Sequence, residues 1–138
     1  MNCKKSGICA IQDDIVQIRD LLLNCDAVVL SAPTYFANVP AIVKNLFDRL
    51  TGAIMDDNNS SIPKPKLSKE QKYLLMTTCN TPFPLNRLGG QSVGTLKAMD
   101  EFFRTSGMRK MGTVTFAGTR NKTEIPVAVQ NKIRRYLK

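Results

Sequence analysis

Residues 31–38 combine aromatic rings with a polar backbone at the end of a predicted buried strand. A loop that leaves a strand and enters a helix can direct several backbone N–H groups at one planar polar ligand. Tyr35 and Phe36 place flat apolar surface beside those donors. This combination suits a heteroaromatic cofactor whose ring edge carries carbonyls and nitrogens. The alternative is that both rings simply plug the top edge of the sheet.

Histidine is absent from the chain. This excludes Ser-His-Asp and Cys-His catalysis, histidine general bases and zinc sites that contain histidine. The four cysteines include no Cys-x-x-Cys pair, so a thioredoxin-type dithiol and a zinc ribbon both lack support. The first residues carry charge without a following apolar stretch, which predicts a cytoplasmic protein with reduced thiols. Any chemistry must use carboxylates, thiols, backbone dipoles or a bound cofactor. The cysteines are Cys3, Cys9, Cys25 and Cys79.

The length of 138 residues, 43% of them apolar, predicts one domain with a real core over residues 1–138. No window approaches the roughly 20 apolar residues of a membrane span, so no membrane partner is expected. The net charge is +9, and residues 104–138 hold nine basic residues against Glu124. Such a basic face could meet nucleic acid, an acidic partner or a phosphorylated cofactor. Nucleic-acid binding is not expected, because only Phe116 and Tyr136 offer aromatic surface there.

Apolar periodicity predicts helices that alternate with short buried strands. Alternation of this kind predicts a parallel sheet between layers of helices, the α/β class. Ligands in such folds bind where the carboxyl ends of the strands meet the following loops, here residues 31–38 and 77–90. A long exposed loop is predicted over residues 52–71 from its Asp, Asn, Ser, Pro and Lys content. The predicted helices cover 13–24, 40–50, 92–106 and a segment that begins at 124 or 126, and the predicted strands cover 26–32, 73–78 and 111–117.

Three segments resemble one protein family. The run CDAVVLSAPTYFANV at 25–39, the Phe-Asp-Arg at 47–49 and the run TTCNTPF at 77–83 are similar to the flavodoxin-like NAD(P)H-dependent FMN reductases. The similarity is greatest to the branch that includes the iron–sulfur flavoproteins. The resemblance implies a flavodoxin-like parallel sheet, FMN as cofactor and NAD(P)H as electron donor. It also implies that electrons pass from the flavin to a small acceptor or a partner protein.

The same resemblance implies which residues approach the flavin. In such proteins the loop after the strand at 26–32 borders the isoalloxazine ring and supplies backbone hydrogen bonds, and the loop after the next strand approaches the same ring. No side chain is assigned a catalytic role, because hydride transfer to a flavin needs no side-chain base. The residues implied to bind the cofactor are Pro33, Thr34, Tyr35, Phe36, Ala37, Asn38, Thr78, Cys79 and Asn80.

The chain also departs from the family pattern. Nothing in it matches the family's first strand, the Ser/Thr-rich phosphate loop or the second strand, so the domain is expected to be truncated at its N-terminus. Cys3 and Cys9 resemble the last two members of a four-cysteine cluster whose first two are absent, so an iron–sulfur cluster is not expected. Ala37 stands where the relatives usually have Gly, and a positive φ there would strain it by about 1 kcal/mol.

The missing strands predict an exposed apolar edge at 26–32, which is a template for pairing with another chain. A homo-oligomer formed through that edge, an exchange of elements or aggregation is therefore expected. A second hypothesis for the function is a non-catalytic remnant of the fold that acts only by protein association.

Overall fold

A three-stranded parallel sheet forms the centre of the molecule. The computed structural model describes residues 6, 8–11, 13–56 and 62–137. In chain order the elements are α1 (Ile15–Asn24), β1 (Ala27–Pro33), α2 (Ala41–Ile54), β2 (Met55–Asp56), β3 (Lys64–Pro65), β4 (Lys72–Cys79), α3 (Leu85–Leu88), α4 (Gln91–Ser106), β5 (Arg109–Ala117) and α5 (Val127–Tyr136). The sheet order is β1-β4-β5, with both pairings parallel. This confirms the predicted parallel α/β class.

Helices cover the two faces of the sheet unequally. On one face, the main core joins α1, α2 and α4 to Tyr73 and Leu75 of β4. Aromatic stacking holds this side together, since Phe47 lies 4.3 Å from Phe102 between ring centroids and Tyr73 lies 5.0 Å from Phe103. Helix α5 packs on β5 from the opposite face, where Tyr136 lies against Gly112, the β5 residue paired with Leu74. The sheet is therefore sandwiched, with most of the core on the α1–α2–α4 side.

The predicted exposed loop at 52–71 differs from the structure at both ends. Helix α2 continues through Ile54, because Ala53 and Ile54 bury their side chains in the core. The short strands β2 and β3 then pair antiparallel, and Leu67 is buried. Tertiary contacts fix these residues, as when the Lys66 Nζ donates to the Gly52 carbonyl oxygen at 2.9 Å. Residues 57–61 of the predicted loop lie outside the described residues.

Strand β1 forms one edge of the sheet. The prediction that this strand is buried is wrong for its outer face, because Val29 is 52% exposed and exposed residues alternate along the strand with partly or fully buried ones. The predicted exposed apolar edge is present: within the described residues β1 pairs with β4 alone. An apolar groove of about 340 Å³ runs beside it, lined by residues that include Leu21, Val29 and Leu46.

Among the residues that the structure describes, no helix has the length and apolar character needed to cross a bilayer.

Candidate functional site

A tight turn follows β1 at the carboxyl end of the sheet. The Tyr35 N–H donates to the Asn38 carbonyl oxygen and the Asn38 N–H donates to the Tyr35 carbonyl oxygen, both at 2.9 Å. The two central residues have positive φ angles, 49° at Phe36 and 59° at Ala37. Positive φ at both central positions is the geometry of a type I′ turn, which favours Gly, Asn or Asp. The strain expected at Ala37 is therefore present, and Phe36 shares it.

The turn exposes both its aromatic rings and leaves two backbone donors without a protein acceptor among the described residues. Tyr35 is 60% exposed and Phe36 is fully exposed, so neither ring plugs the edge of the sheet. Within the described part of the chain, the backbone N–H groups of Phe36 and Ala37 donate to no protein acceptor. Two unpaired donors beside exposed aromatic surface are what the polar edge of a planar ligand requires.

Helix α4 holds the strained turn in place. A Cβ atom built on Gly94 would lie 2.1 Å from the Ala37 carbonyl oxygen, so only glycine allows the helix to come this close. The Thr95 Oγ1 lies 3.1 Å from the Asn38 carbonyl oxygen and 3.0 Å from the Thr34 Oγ1. The Thr34 Oγ1 is in turn 3.0 Å from the Thr77 Oγ1 of β4. This row of three hydroxyls connects the turn to both α4 and β4.

The loop after β4 lies directly beside the turn. Pro33 pairs with Thr78 in the parallel register, and the Thr34 N–H donates to the Thr78 carbonyl oxygen at 2.9 Å. The structure therefore brings together the two segments that the sequence assigned to one site. Thr78 and Asn80 are exposed, whereas the Cys79 side chain is buried.

Buried and partly buried side chains fix this second loop. The Cys79 thiol donates to the Gln91 Oε1 at 3.3 Å, and the Thr81 hydroxyl donates to the same oxygen at 2.7 Å. The thiol thus faces α4, and the Cys79 carbonyl oxygen accepts a 3.2 Å hydrogen bond from the Thr119 N–H, so this residue fixes the loop and does not present its sulfur to a ligand. The Asn80 Oδ1 accepts a hydrogen bond of 2.9 Å from the Thr119 hydroxyl.

An open depression of about 710 Å³ adjoins the loop after β4. Two cationic side chains, Arg120 and Lys122, take part in its lining. Their charge suits an anionic group such as a phosphate. The other lining residues are Asn80, Thr81, Pro82, Gly118 and Asn121.

Sequence reasoning missed the residues that hold the turn. Gln91, Gly94 and Thr95 carry no motif, and Thr77 was noted only as the first residue of the run at 77–83. Their contacts join segments distant in the chain. One signal was available, because an isolated glycine inside a helical pattern lowers the stability of the helix and so suggests a packing reason for its presence. Gly94 was such a glycine.

A second cluster of charged and thiol groups lies away from the turn, at Arg49. The Arg49 guanidinium donates to both carboxylate oxygens of Asp13, at 2.7 and 2.9 Å, and to the Cys9 Sγ at 3.4 Å. The hydrogen bond from Arg49 lowers the pKa of the Cys9 thiol, and the same guanidinium lowers the pKa of the Asp13 carboxyl. At Cys25 the opposite holds, because burial raises the pKa of its thiol.

These cysteines do not form a common site. The structure describes Cys9, Cys25 and Cys79, each as a free thiol, while Cys3 lies outside the described residues. No group of three or more Cys, Asp or Glu side chains in the described ranges is arranged to hold a metal ion. Among the residues that the structure describes, these thiols do not form the donor set of an iron–sulfur cluster.

The fold and the site together define an α/β protein with a parallel sheet and a candidate ligand site at the carboxyl ends of its strands. Residues 4–138 match the profile of the family described as the flavodoxin-like fold. The chain belongs to this family, which confirms the resemblance drawn from segments 25–39, 47–49 and 77–83.

Individual relatives agree with this assignment. Over 43 residues the chain is 49% identical to an iron–sulfur flavoprotein of Archaeoglobus fulgidus, a match that covers 31% of this chain and 21% of that protein. The aligned segment thus spans about a fifth of the curated relative.

Solved structures share the fold at low sequence identity. An NAD(P)H:quinone oxidoreductase from Methanothermobacter marburgensis superposes with a TM-score of 0.67 at 13% identity, over 91% of this chain and 62% of that one. An FMN-dependent NADH-azoreductase from Bacillus anthracis, solved in complex with FMN, superposes with a TM-score of 0.63 at 14% identity, over 89% and 60%.

The described residues fit the flavin that this family implies. The unpaired N–H groups of Phe36 and Ala37 match the acceptors on the polar edge of an isoalloxazine ring, and Tyr35 provides exposed aromatic surface beside them. Arg120 and Lys122 supply positive charge near the loop that follows β4. The donor set therefore suits a flavin.

Proposed function

We propose that the protein is an FMN-dependent NAD(P)H oxidoreductase that passes electrons to a small acceptor or a partner protein. One observation carries the proposal: the turn at residues 35–38 holds two unpaired N–H donors and two exposed rings beside the loop after β4. The family membership and the NAD(P)H- and FMN-dependent enzymes among the structural neighbours support it.

The chain's own residues would bind and orient the cofactor. The N–H groups of Phe36 and Ala37 would donate to the polar ring edge, and Tyr35 would pack on the ring. The exposed residues Thr78 and Asn80 would border the same ring. Once bound, FMN supplies the redox chemistry by accepting a hydride from NAD(P)H. The protein's contribution is orientation and electrostatics, so the absence of histidine is no obstacle.

Titration of FMN with the protein tests the proposal. Binding would quench the flavin fluorescence in a saturable manner, and NADH or NADPH would then reduce the bound flavin under anaerobic conditions. Replacement of Tyr35 by Ala removes an aromatic contact of about 0.5–1.5 kcal/mol, so the Kd should rise about two- to tenfold. The control Leu137→Ala removes an exposed apolar side chain at the end of α5 and should leave the Kd unchanged.

A non-catalytic remnant that acts by association is the second candidate, favoured by the exposed edge of β1 and its apolar groove. This alternative predicts unquenched flavin fluorescence at any protein concentration. Saturable quenching without reduction by either nucleotide would show that the protein binds flavin but would contradict the proposed reductase activity. A homo-oligomer formed through β1 is compatible with either candidate.

A further inference from the structure

The opposite edge of the sheet, along β5, is a groove of a different character. A cavity of about 760 Å³ opens there between α4, β5 and α5. Within the described residues β5 pairs with β4 alone, so the backbone groups on its outer side have no strand partner. An edge of this kind accepts an extended segment by main-chain pairing.

The charge of this groove, which we call the β5 groove, is strongly positive. Five cationic side chains and one carboxylate line it. The carboxylate, Asp100, is already engaged, because it lies 3.0 Å from the Lys110 Nζ and accepts a 2.8 Å hydrogen bond from the Tyr73 hydroxyl. None of the remaining four cations forms an ion pair with a described residue. The cations are Arg87, Lys97, Lys110, Lys122 and Lys132.

The positions of the lining residues match an extended ligand. Lys110 near the start of β5 and Ala117 at its end both line the groove. Seven residue steps along a strand span about 23 Å, so the groove follows nearly the whole strand. A single phosphate group would reach only a small part of it. Lys97 on α4 and Lys132 on α5 place positive charge on both walls, and Val93 and Val129 add apolar surface.

A buried acceptor in the lining also lacks a partner. Asn86 is 2% exposed, and its Oδ1 accepts no hydrogen bond from the described residues, although its Nδ2 donates to the Ser92 hydroxyl at 2.9 Å. A buried polar atom without a partner costs about 1–3 kcal/mol. A ligand with N–H groups would satisfy this oxygen, and a polypeptide backbone carries one at nearly every residue.

We propose that the β5 groove binds an extended acidic segment of a partner protein, which adds as a strand to the edge of β5. Its carboxylates pair with the unengaged lysines on both walls, and its backbone N–H groups meet the edge of β5 and the Asn86 Oδ1. A second copy of this chain is a poor occupant, because its own β5 edge carries the same cations. Lysines on an edge strand commonly discourage pairing. Here the cations extend to both flanking helices, so they favour an acidic ligand in addition to discouraging pairing with other strands.

Synthetic peptides test the proposal on the intact chain without flavin. The probe is a fluorescent, acetylated octapeptide of sequence Glu-Glu-Val-Val-Glu-Glu-Val-Val, called the Val-Glu peptide, whose glutamates lie on both faces of an added strand and so reach both walls. Its binding is followed by fluorescence anisotropy at about 0.15 M salt, where exposed charges farther apart than about 8 Å are screened. We expect saturable binding of this peptide and none of the matching Val-Lys peptide. A Val-Glu peptide that is N-methylated at every residue keeps its charge but has no backbone N–H on either edge to donate to the strand, and its affinity should fall at least tenfold.

Matched charge reversals locate the binding surface. The double variant Lys97→Glu/Lys132→Glu should weaken binding of the Val-Glu peptide at least tenfold. The control Lys44→Glu/Lys69→Glu changes the net charge of +9 by the same amount at exposed positions outside the groove and should change the Kd less than twofold. Circular dichroism of both doubles checks that they fold alike.

The other outcomes overturn the proposal. Equal losses in the two double variants would mean that net charge, not the groove, binds the peptide. Unchanged affinity for the N-methylated peptide would remove the pairing with β5. Tighter binding of a single-stranded oligothymidylate than of the Val-Glu peptide, with a steep dependence on salt, would assign the groove to nucleic acid instead. Failure of FMN to bind would not change any of these results, so the peptide-binding proposal and the flavin-binding proposal are tested independently.

Discussion

Replacement of Gly94 by Ala tests whether helix α4 holds the turn at residues 35–38. In an ordinary exposed helix this change stabilises the protein by about 0.5–1 kcal/mol, because glycine costs more backbone entropy on folding. At Gly94 the new Cβ would meet the Ala37 carbonyl oxygen at 2.1 Å, which is far inside van der Waals contact. The helix or the turn must move, and overpacking of this kind costs about 1–3 kcal/mol. We therefore expect a net loss of up to about 2 kcal/mol, the opposite sign to the usual effect.

Urea unfolding followed by circular dichroism measures this free energy. The variant Lys97→Gly provides the control, because Lys97 is exposed in the same helix and reports what glycine costs in α4 without any contact to the turn. The same displacement should weaken FMN binding, since it moves the N–H donors of Phe36 and Ala37. A Gly94→Ala variant that is more stable than the wild type by the amount that Lys97→Gly loses would refute the close contact.

Three further variants probe other features. Ala37→Gly relieves the strain of a φ of 59° and should raise the free energy of unfolding by up to about 1 kcal/mol, whereas Ala37→Val should lower it. Equal stabilities of the wild type and both variants in urea would contradict the strain at this turn. The pH at which alkylation by iodoacetamide reaches half its maximal rate should be lower for Cys9 than for Cys25, because Arg49 favours the Cys9 thiolate and burial disfavours the Cys25 thiolate. In Arg49→Leu, mass spectrometry should show that this pH midpoint rises for Cys9. An unchanged Cys9 midpoint would contradict the role of Arg49. Val29→Lys places a charge on the exposed face of β1 and should reduce self-association measured by light scattering, while the control Lys69→Ala should not. A wild-type protein that is monomeric at moderate concentration would contradict pairing through β1.

The sequence predicted the elements whose residues follow a clear period. The apolar stripe through Ile15, Ile18 and Leu22 predicted helix 13–24, and the structure has α1 at Ile15–Asn24. The strands of the sheet were each predicted within two residues, because short apolar runs between polar segments mark buried strands. Parallel order then followed from the alternation of helices and strands.

The missed elements are those decided by contacts between distant segments. Thr51 and Gly52 have low helix propensity, yet α2 continues through them because Ala53 and Ile54 complete the core. Strands β2 and β3 have two residues each, which is too short for any period to show. Within the site, the sequence placed the turn correctly between β1 and α2 but could not foresee that the Cys79 thiol faces Gln91, because 12 residues separate them in the chain.

The two free edges of the sheet also limit how copies of this chain can combine. If two copies pair through β1 about a twofold axis, each uses its apolar β1 edge, so that contact cannot propagate into a fibre. The resulting six-stranded sheet would end in a basic β5 strand on both sides. Such a pair would be bivalent, and a partner with two tethered acidic segments would bind it with an avidity far above the affinity of one segment.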